Sequence, residues 1–260
     1  MSKTLIAIVF VTFLDIGPAF PQVNEIVDTK SEGFFPYISK TLPKNLLLGT
    51  KNTFTVWNIT ILGTAAGGSL ILSQTDADRK IQNKLENSIG NFGDIGNIGA
   101  NALTLAGINT SLYIFSEVTD NKKLLETSKA LIEANIITSI MTGALKISVG
   151  RERPDGSGSR FNSSFPSGHV SGSFTLASVF DSMYGHKVGV PLYTFASFIG
   201  LSRISDNKHF LSDVLFGAVL GTVIGRSVAK MHKNDNKIRR FNILPHTDGH
   251  STGLIITLTW

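Results

Sequence analysis

Six apolar stretches of helix length, separated by short polar connectors, constrain this chain more than any other feature. They cover residues 53–73, 98–116, 130–149, 170–184, 188–201 and 210–229. Strands bury four to eight residues at a time, so uninterrupted apolar runs of this length read as helices. A chain of 260 residues is long enough for one large core and too short for two comparable ones. The predicted fold is therefore all-α, a helical bundle of about six core helices.

The flanks differ in composition. Lys3 precedes an apolar run at residues 5–14, and Gly17, Pro18 and Ala19 follow, the charged, apolar and small-residue order of a secretory signal. At ten residues that run is too short to span a bilayer. Residues 1–22 are read as a signal peptide and residues 23–52 as a surface arm with one or two helical turns. Residues 53–230 form the helical domain. Residues 231–260 hold a basic connector, with Lys233, Lys237, Arg239 and Arg240, and then a small β-hairpin. The hairpin rests on Asp248-Gly249 as the turn and on Ile255, Ile256, Thr257 and Thr259 as β-formers.

Hydrophobic residues make up 42% of the chain and charged residues 17%, and the mean hydropathy is +0.15. That is apolar enough to keep a membrane association open. The net charge of +5 and a pI near 9.4 favour anionic partners. With no cysteine, disulfides, thiolate metal sites and a cysteine nucleophile are excluded.

Three clusters carry chemistry, each at the end of an apolar helix. In the first, Lys146 is followed by Arg151, Arg153 and Pro154, cations converging where a helix ends and the chain turns extended. Such residues also decorate ordinary helix C-termini. In the second, Pro166, Ser167, Gly168 and His169 open the next helix. Free backbone N–H groups and the positive end of a helix dipole suit a phosphate oxygen, although Ser167 could equally be a plain cap. His169 beside them can give or take a proton near neutral pH. In the third, Ser202 and Arg203 precede His209 and Asp213. Four residues apart on a helix, the last two share a face, so the carboxylate can hold one ring nitrogen and aim the other as nucleophile or base. A metal site would need more ligands than these two histidines supply, and none is expected. No cofactor is expected either.

The run KISVGRERP, the tetrapeptide PSGH and the run SRISDNKHFLSD resemble the three signature motifs of the type 2 phosphatidic acid phosphatase and vanadium-dependent haloperoxidase superfamily. The resemblance implies a phosphatase that hydrolyses phosphate monoesters or lipid phosphates and diphosphates through a phosphohistidine, without a metal. It also implies the roles. Lys146, Arg153, Arg203, Ser167 and Gly168 would hold the phosphate oxygens, His209 would attack phosphorus, Asp213 would orient it, and His169 would protonate the leaving oxygen. The expected partner is a phosphorylated lipid or small molecule, with association at a membrane surface and no nucleic acid. A vanadium haloperoxidase is one rival, since vanadate would occupy the same cage. A non-catalytic envelope protein keeping the fold is the other, and a complete motif set argues against it.

Family members of this kind are either membrane-embedded or soluble. The stretches 170–184 and 188–201 fall short of the roughly 20 residues a span needs, and this favours an exported, periplasmic globular or peripheral protein. The alternative is an integral inner-membrane protein whose site faces the periplasm.

Overall fold

The computed structural model describes residues 33–86, 88, 101–159 and 162–233, together with the backbone of 240–247 and 252–259. The signal-peptide expectation at residues 1–22, the first part of the arm, and the Asp248-Gly249 turn lie outside the described residues.

After a helical turn at Phe34–Pro36 and a π-turn at Tyr37–Thr41, eight helices follow: α1 (Leu42–Thr53), α2 (Val56–Ser73), α3 (Asp76–Leu85), α4 (Ala102–Val118), α5 (Lys122–Val149), α6 (Gly168–Tyr184), α7 (His186–Ser205) and α8 (Leu211–His232). The strands β1 (Arg240–Thr247) and β2 (Thr252–Thr259) pair antiparallel, with Arg240 opposite Thr259, as the terminal β-formers predict. Local chemistry sets the helix boundaries. The Asn101 side chain accepts from Thr104 N and the Asn121 side chain from Leu124 N, each capping a start. Gly150 at φ 62° closes α5 in the left-handed conformation that favours glycine.

The six long helices, α2 and α4 to α8, are the six apolar stretches. Five of them extend past the sequence-based limits at one end or both, because polar residues at helix termini carry no apolar signal, whereas α2 starts three residues inside its stretch. Helix α7 in particular covers 20 residues instead of 14. Helix α6, at 17 residues, still falls short of a span, so the length argument holds for it but does not extend to the whole bundle. Among the described residues, three helices are long and apolar enough, by length and composition, to cross a membrane: α2, α5 and α8.

Helix α8 is the central post. It packs against α6, α5, α2 and α1. Leu220, Ile224 and Val228 meet Leu131 and Ile137 of α5 and Val179 of α6 in one core. Val214 and Ala218 meet Val170 and Phe174 of α6 and Tyr193 and Ile204 of α7 in a second. The approach to α6 is close along the stripe Gly217, Gly221, Gly225. A Cβ at Gly221 would overlap the Ser171 carbonyl, and one at Gly225 would overlap Ser178. Small residues four apart let two helix backbones touch.

The arm is only partly a surface feature: Phe35 and Leu47 are exposed, but other residues reach the core. Tyr37 is fully buried and donates to Glu133 Oε1 at 3.0 Å, and Asn45 Nδ2 donates to the same oxygen at 2.9 Å. The other Glu133 oxygen meets His232 Nε2 at 2.7 Å, and Glu126 meets His232 Nδ1 at 2.9 Å. Burying Glu133 is tolerable only with such partners. The arm is thereby fastened to the end of the bundle where α5 starts and α8 finishes.

Outward, the bundle is apolar. Val56 and Ile71 on α2, Leu103 and Val118 on α4, Ile140 on α5 and Phe195 on α7 are all exposed.

Gly221→Ala tests the α6–α8 contact. Overpacking costs about 1–3 kcal/mol, so the unfolding temperature in detergent should fall by about 2–12 °C. Gly63→Ala on α2, where a Cβ meets nothing within 4 Å, should not lower it.

Candidate active site

The up-and-down course of the bundle brings the three sequence clusters to one end. Lys146 lies in the last turn of α5 and Arg153 just beyond it. Ser167, Gly168 and His169 open α6, Arg203 lies in the last turn of α7, and His209 and Asp213 flank the start of α8. All eight predicted residues meet there. His169 is within electrostatic reach of Arg203, His209, Arg153 and Lys146, and Arg153 acts on both Lys146 and Arg203.

The three cations are held from behind. Lys146 Nζ donates to the Ser163 carbonyl. Arg153 is clamped on Asn162, Nη2 to Oδ1 at 2.6 Å and Nε to the carbonyl at 3.2 Å. Arg203 is 2% exposed and pairs through Nη1 with Asp206 at 3.1 Å. The Ser167 side chain makes no capping hydrogen bond, so the plain-cap alternative does not hold. Ser167 Oγ, Arg203 Nε and His209 Nδ1 are buried polar atoms without a protein partner. Orphans of this kind are rare in a folded chain and mark places where a ligand completes the bonding.

The His209–Asp213 pair differs in detail from the helical pair read from spacing. His209 precedes the helix, which begins at Leu211, and Phe210 is the N-cap. The cause is Asp213, whose Oδ2 accepts from Phe210 N at 2.8 Å, the reach-back of a capping box. Asp213 Oδ2 also accepts from Ser164 Oγ, and Oδ1 accepts from Arg151 Nη1 at 2.6 Å. His209 Nδ1 stands 3.8 Å from Asp213 Oδ2, an electrostatic contact longer than a hydrogen bond. The carboxylate thus sits behind Nδ1 and leaves Nε2 as the free nitrogen.

Arg151, counted from sequence among the converging cations, turns away from that centre. It is committed to Asp213 and to Asp78 of α3, the latter at 2.9 Å, and its guanidinium stacks over Phe210 at 4.2 Å. Asp78 had no signal in the sequence, being one acid in a polar connector.

Burial pushes the His209 imidazole down to about 4, with Lys146 and Arg153 pushing the same way and Asp213 opposing. At neutral pH it is therefore uncharged and Nε2 keeps its lone pair. A neutral imidazole backed by a carboxylate, fixed cations and free N–H groups at a helix start can take up an oxyanion and attack it.

Residues 128–237, the segment with all three clusters, match the model of the PAP2 superfamily. A lipid A 1-phosphatase of Porphyromonas gingivalis is 46% identical over 88 residues, 33% of this chain and 19% of the relative. A PA-phosphatase related-family protein of Dictyostelium discoideum is 32% identical over 130 residues, 40% of this chain and 48% of the relative. The chain spans between about a fifth and a half of the length of these curated relatives. The crystal structure of Aquifex aeolicus LpxE superposes with a TM-score of 0.49 at 24% identity, covering 58% of this chain and 93% of that one.

The titration of His209 is a direct check on the site. Its folded value lies below the ordinary 6.5, so the ring should stay neutral as pH falls and gain its proton only near pH 4. Histidine-selective NMR of the folded protein, with His209→Gln for assignment, reads this. A ring half-protonated near 6.5 would contradict the buried placement.

Proposed function

We propose that this chain, whose motif-bearing residues 128–237 match the model of the PAP2 superfamily, is a membrane-embedded phosphatase. Its substrates are lipid phosphates, hydrolysed through a phosphohistidine on His209. The observation that carries this reading is the meeting of Lys146, Arg153 and Arg203 with the unpartnered Ser167 Oγ and His209 at one bundle end. The names of the relatives, a lipid A 1-phosphatase and a PA-phosphatase related protein, support phosphate esters of lipids as the substrate class.

The steps follow from the placement. Lys146, Arg153, Arg203, Ser167 and the first N–H groups of α6 bind the non-bridging oxygens of the phosphoryl group and neutralise its charge. A Cβ at Gly168 would meet only Thr142, at 3.7 Å. Nothing in the fold demands glycine there, which fits a backbone kept bare for a phosphate oxygen. His209 Nε2 attacks phosphorus, the bond to the leaving oxygen breaks, and His169 gives that oxygen its proton. The ring of His209 becomes cationic as it is phosphorylated, and Asp213 behind Nδ1 offsets the charge. Water then attacks phosphorus, His169 takes a proton from it, the N–P bond breaks, and phosphate leaves. Charge neutralisation comes from side chains and backbone, so turnover on this reading needs no metal.

The membrane part rests on the outward apolar side chains and on charge. The end opposite the site carries Lys40, Lys44, Lys51, Lys122, Lys123, Lys187 and Lys233. At the site end Lys146, Arg151, Arg153 and Arg203 belong to the site or its buried supports, which leaves Arg79, Lys80, Lys84 and Lys208, four cations against the seven at the other end. The positive-inside rule puts the lysine-rich end in the cytoplasm and the site on the other side, facing the periplasm in a bacterial envelope.

Two measurements test this. Phosphate release from phosphatidate in detergent should persist in excess chelator and fall at least about 1,000-fold in His209→Ala, as when a nucleophile is removed. Activity lost to chelator and restored by a divalent metal would sink the mechanism. The chain has no cysteine, so single cysteines report orientation cleanly. An impermeant thiol reagent applied to intact cells should label Ser157→Cys and spare Thr119→Cys, and the reverse pattern would invert the topology.

A further inference from the structure

Helix α3 lies outside the three motifs, yet it grips the site from behind at two places. The first is Asp78, only 2% exposed. Its Oδ2 accepts from Arg151 Nη2 at 2.9 Å and from Ser212 Oγ at 2.5 Å, and its Oδ1 accepts from Ser212 N at 3.1 Å. The other arm of Arg151 reaches Asp213 Oδ1 at 2.6 Å and Ser212 Oγ at 2.7 Å. One guanidinium therefore bridges two buried carboxylates. The second place is one turn further along α3. Gln82 donates to Asn207 Oδ1, and Asn207 Nδ2 donates to Glu86 Oε1 at 2.6 Å just past the helix. Asn207 stands at φ 57°, two residues before His209. The loop leading into His209 and the carboxylate behind it are thus both tied to α3.

Arg151 has somewhere else to go. A cavity of about 480 Å3, lined among others by Arg79, Gln82, Arg151 and Phe210, opens beside it. A guanidinium that loses its Asp78 partner can swing into that open space. Asp213 would then keep Ser164 and Phe210 N as donors but lose its only charged one. Its side chain, fully buried now, would be free to turn and to meet water.

We propose that Asp78 is a positioning residue for the reaction: through Arg151 it holds Asp213, and so aims His209. This rests on the phosphatase reading above. Asp78 touches neither the phosphoryl group nor His209, so its effect must pass through Asp213. That path separates it from a merely structural acid, because its loss should matter only while Asp213 is present.

The test is a double-mutant cycle on the full chain in detergent, with phosphatidate as substrate. Misplacing a catalytic group by about 1 Å costs up to about 100-fold, so Asp78→Asn should lower kcat by about 10- to 100-fold with KM within about 3-fold. Asp213→Asn should cost more, and Asp78→Asn/Asp213→Asn should be no worse than Asp213→Asn alone within about 3-fold, because groups acting as a unit are not additive. Arg151→Lys keeps the charge but cannot bridge two carboxylates, and it should reproduce Asp78→Asn. Vanadate binding counts folded sites in each variant. Losses that multiply in the double variant, or that vanish once kcat is divided by the folded fraction, overturn the proposal, as does a fully active Asp78→Asn. A wild-type chain without phosphatase activity would overturn the functional reading itself, which an inert Asp78→Asn in an active enzyme would not.

Discussion

Positive charge gathered at one buried end of a helical bundle is the constraint on which the rest of this structure depends. Arg153 lies within electrostatic reach of both Lys146 and Arg203, with Arg151 just behind them, and Coulomb repulsion in this partly buried place is stronger than in bulk solvent. Two fully or almost fully buried acids answer part of it. Asp78 and Asp213 take up Arg151 between them, and Asp206 answers Arg203. Lys146 and Arg153 are left with only neutral oxygens, the Ser163 carbonyl and the Asn162 side chain and carbonyl. On the proposed reading, a doubly charged phosphoryl group would supply the missing negative charge. Binding and the stabilisation of a transition state then come from the same fixed donors.

That arrangement depends on close helix packing. Cations from the ends of α5 and α7 and N–H groups from the start of α6 converge because α6 and α8 approach almost to backbone contact along Gly217, Gly221 and Gly225. The Ser167 N–H donates to the Asp213 carbonyl at 3.2 Å, so the starts of the two helices are joined directly. The opposite end is fastened by different chemistry. There the His232 imidazole lies between Glu126 and Glu133, and Tyr37 and Asn45 bring the arm into the same network. A bundle secured at both ends keeps a cage of several side chains in register.

The long helices and the three clusters were legible in the sequence because each has a signal of its own: apolar length for the first, residue type at fixed spacing for the second. What failed to show had no such signal. Tyr37 and Asn45 look like surface residues until Glu133 is seen to need donors. Arg151 carries the same charge as Arg153 two residues away, and only their different hydrogen-bond partners separate a cation tied to carboxylates from one left with neutral oxygens. Asp78 is a single acid 134 residues from its farthest partner, Ser212, and nothing in its neighbourhood hints at that contact. The spacing of His209 and Asp213 pointed to the right pair in the wrong conformation. The carboxylate spends a lone pair capping Phe210, and that starts the helix after the histidine instead of before it.

Covalent transfer to His209 is the central claim, and the most direct measurement uses a variant that can form the intermediate but not discharge it. A nitrophenyl phosphate needs no proton for its leaving group, so His169→Ala should still phosphorylate His209 while lacking the base that activates water. Rapid mixing should give a burst approaching one nitrophenolate per active site. Peptide mapping should then find an acid-labile, base-stable phosphate on His209. No burst and no phosphohistidine in His169→Ala, together with turnover in His209→Ala, would contradict the account and point to direct attack by water.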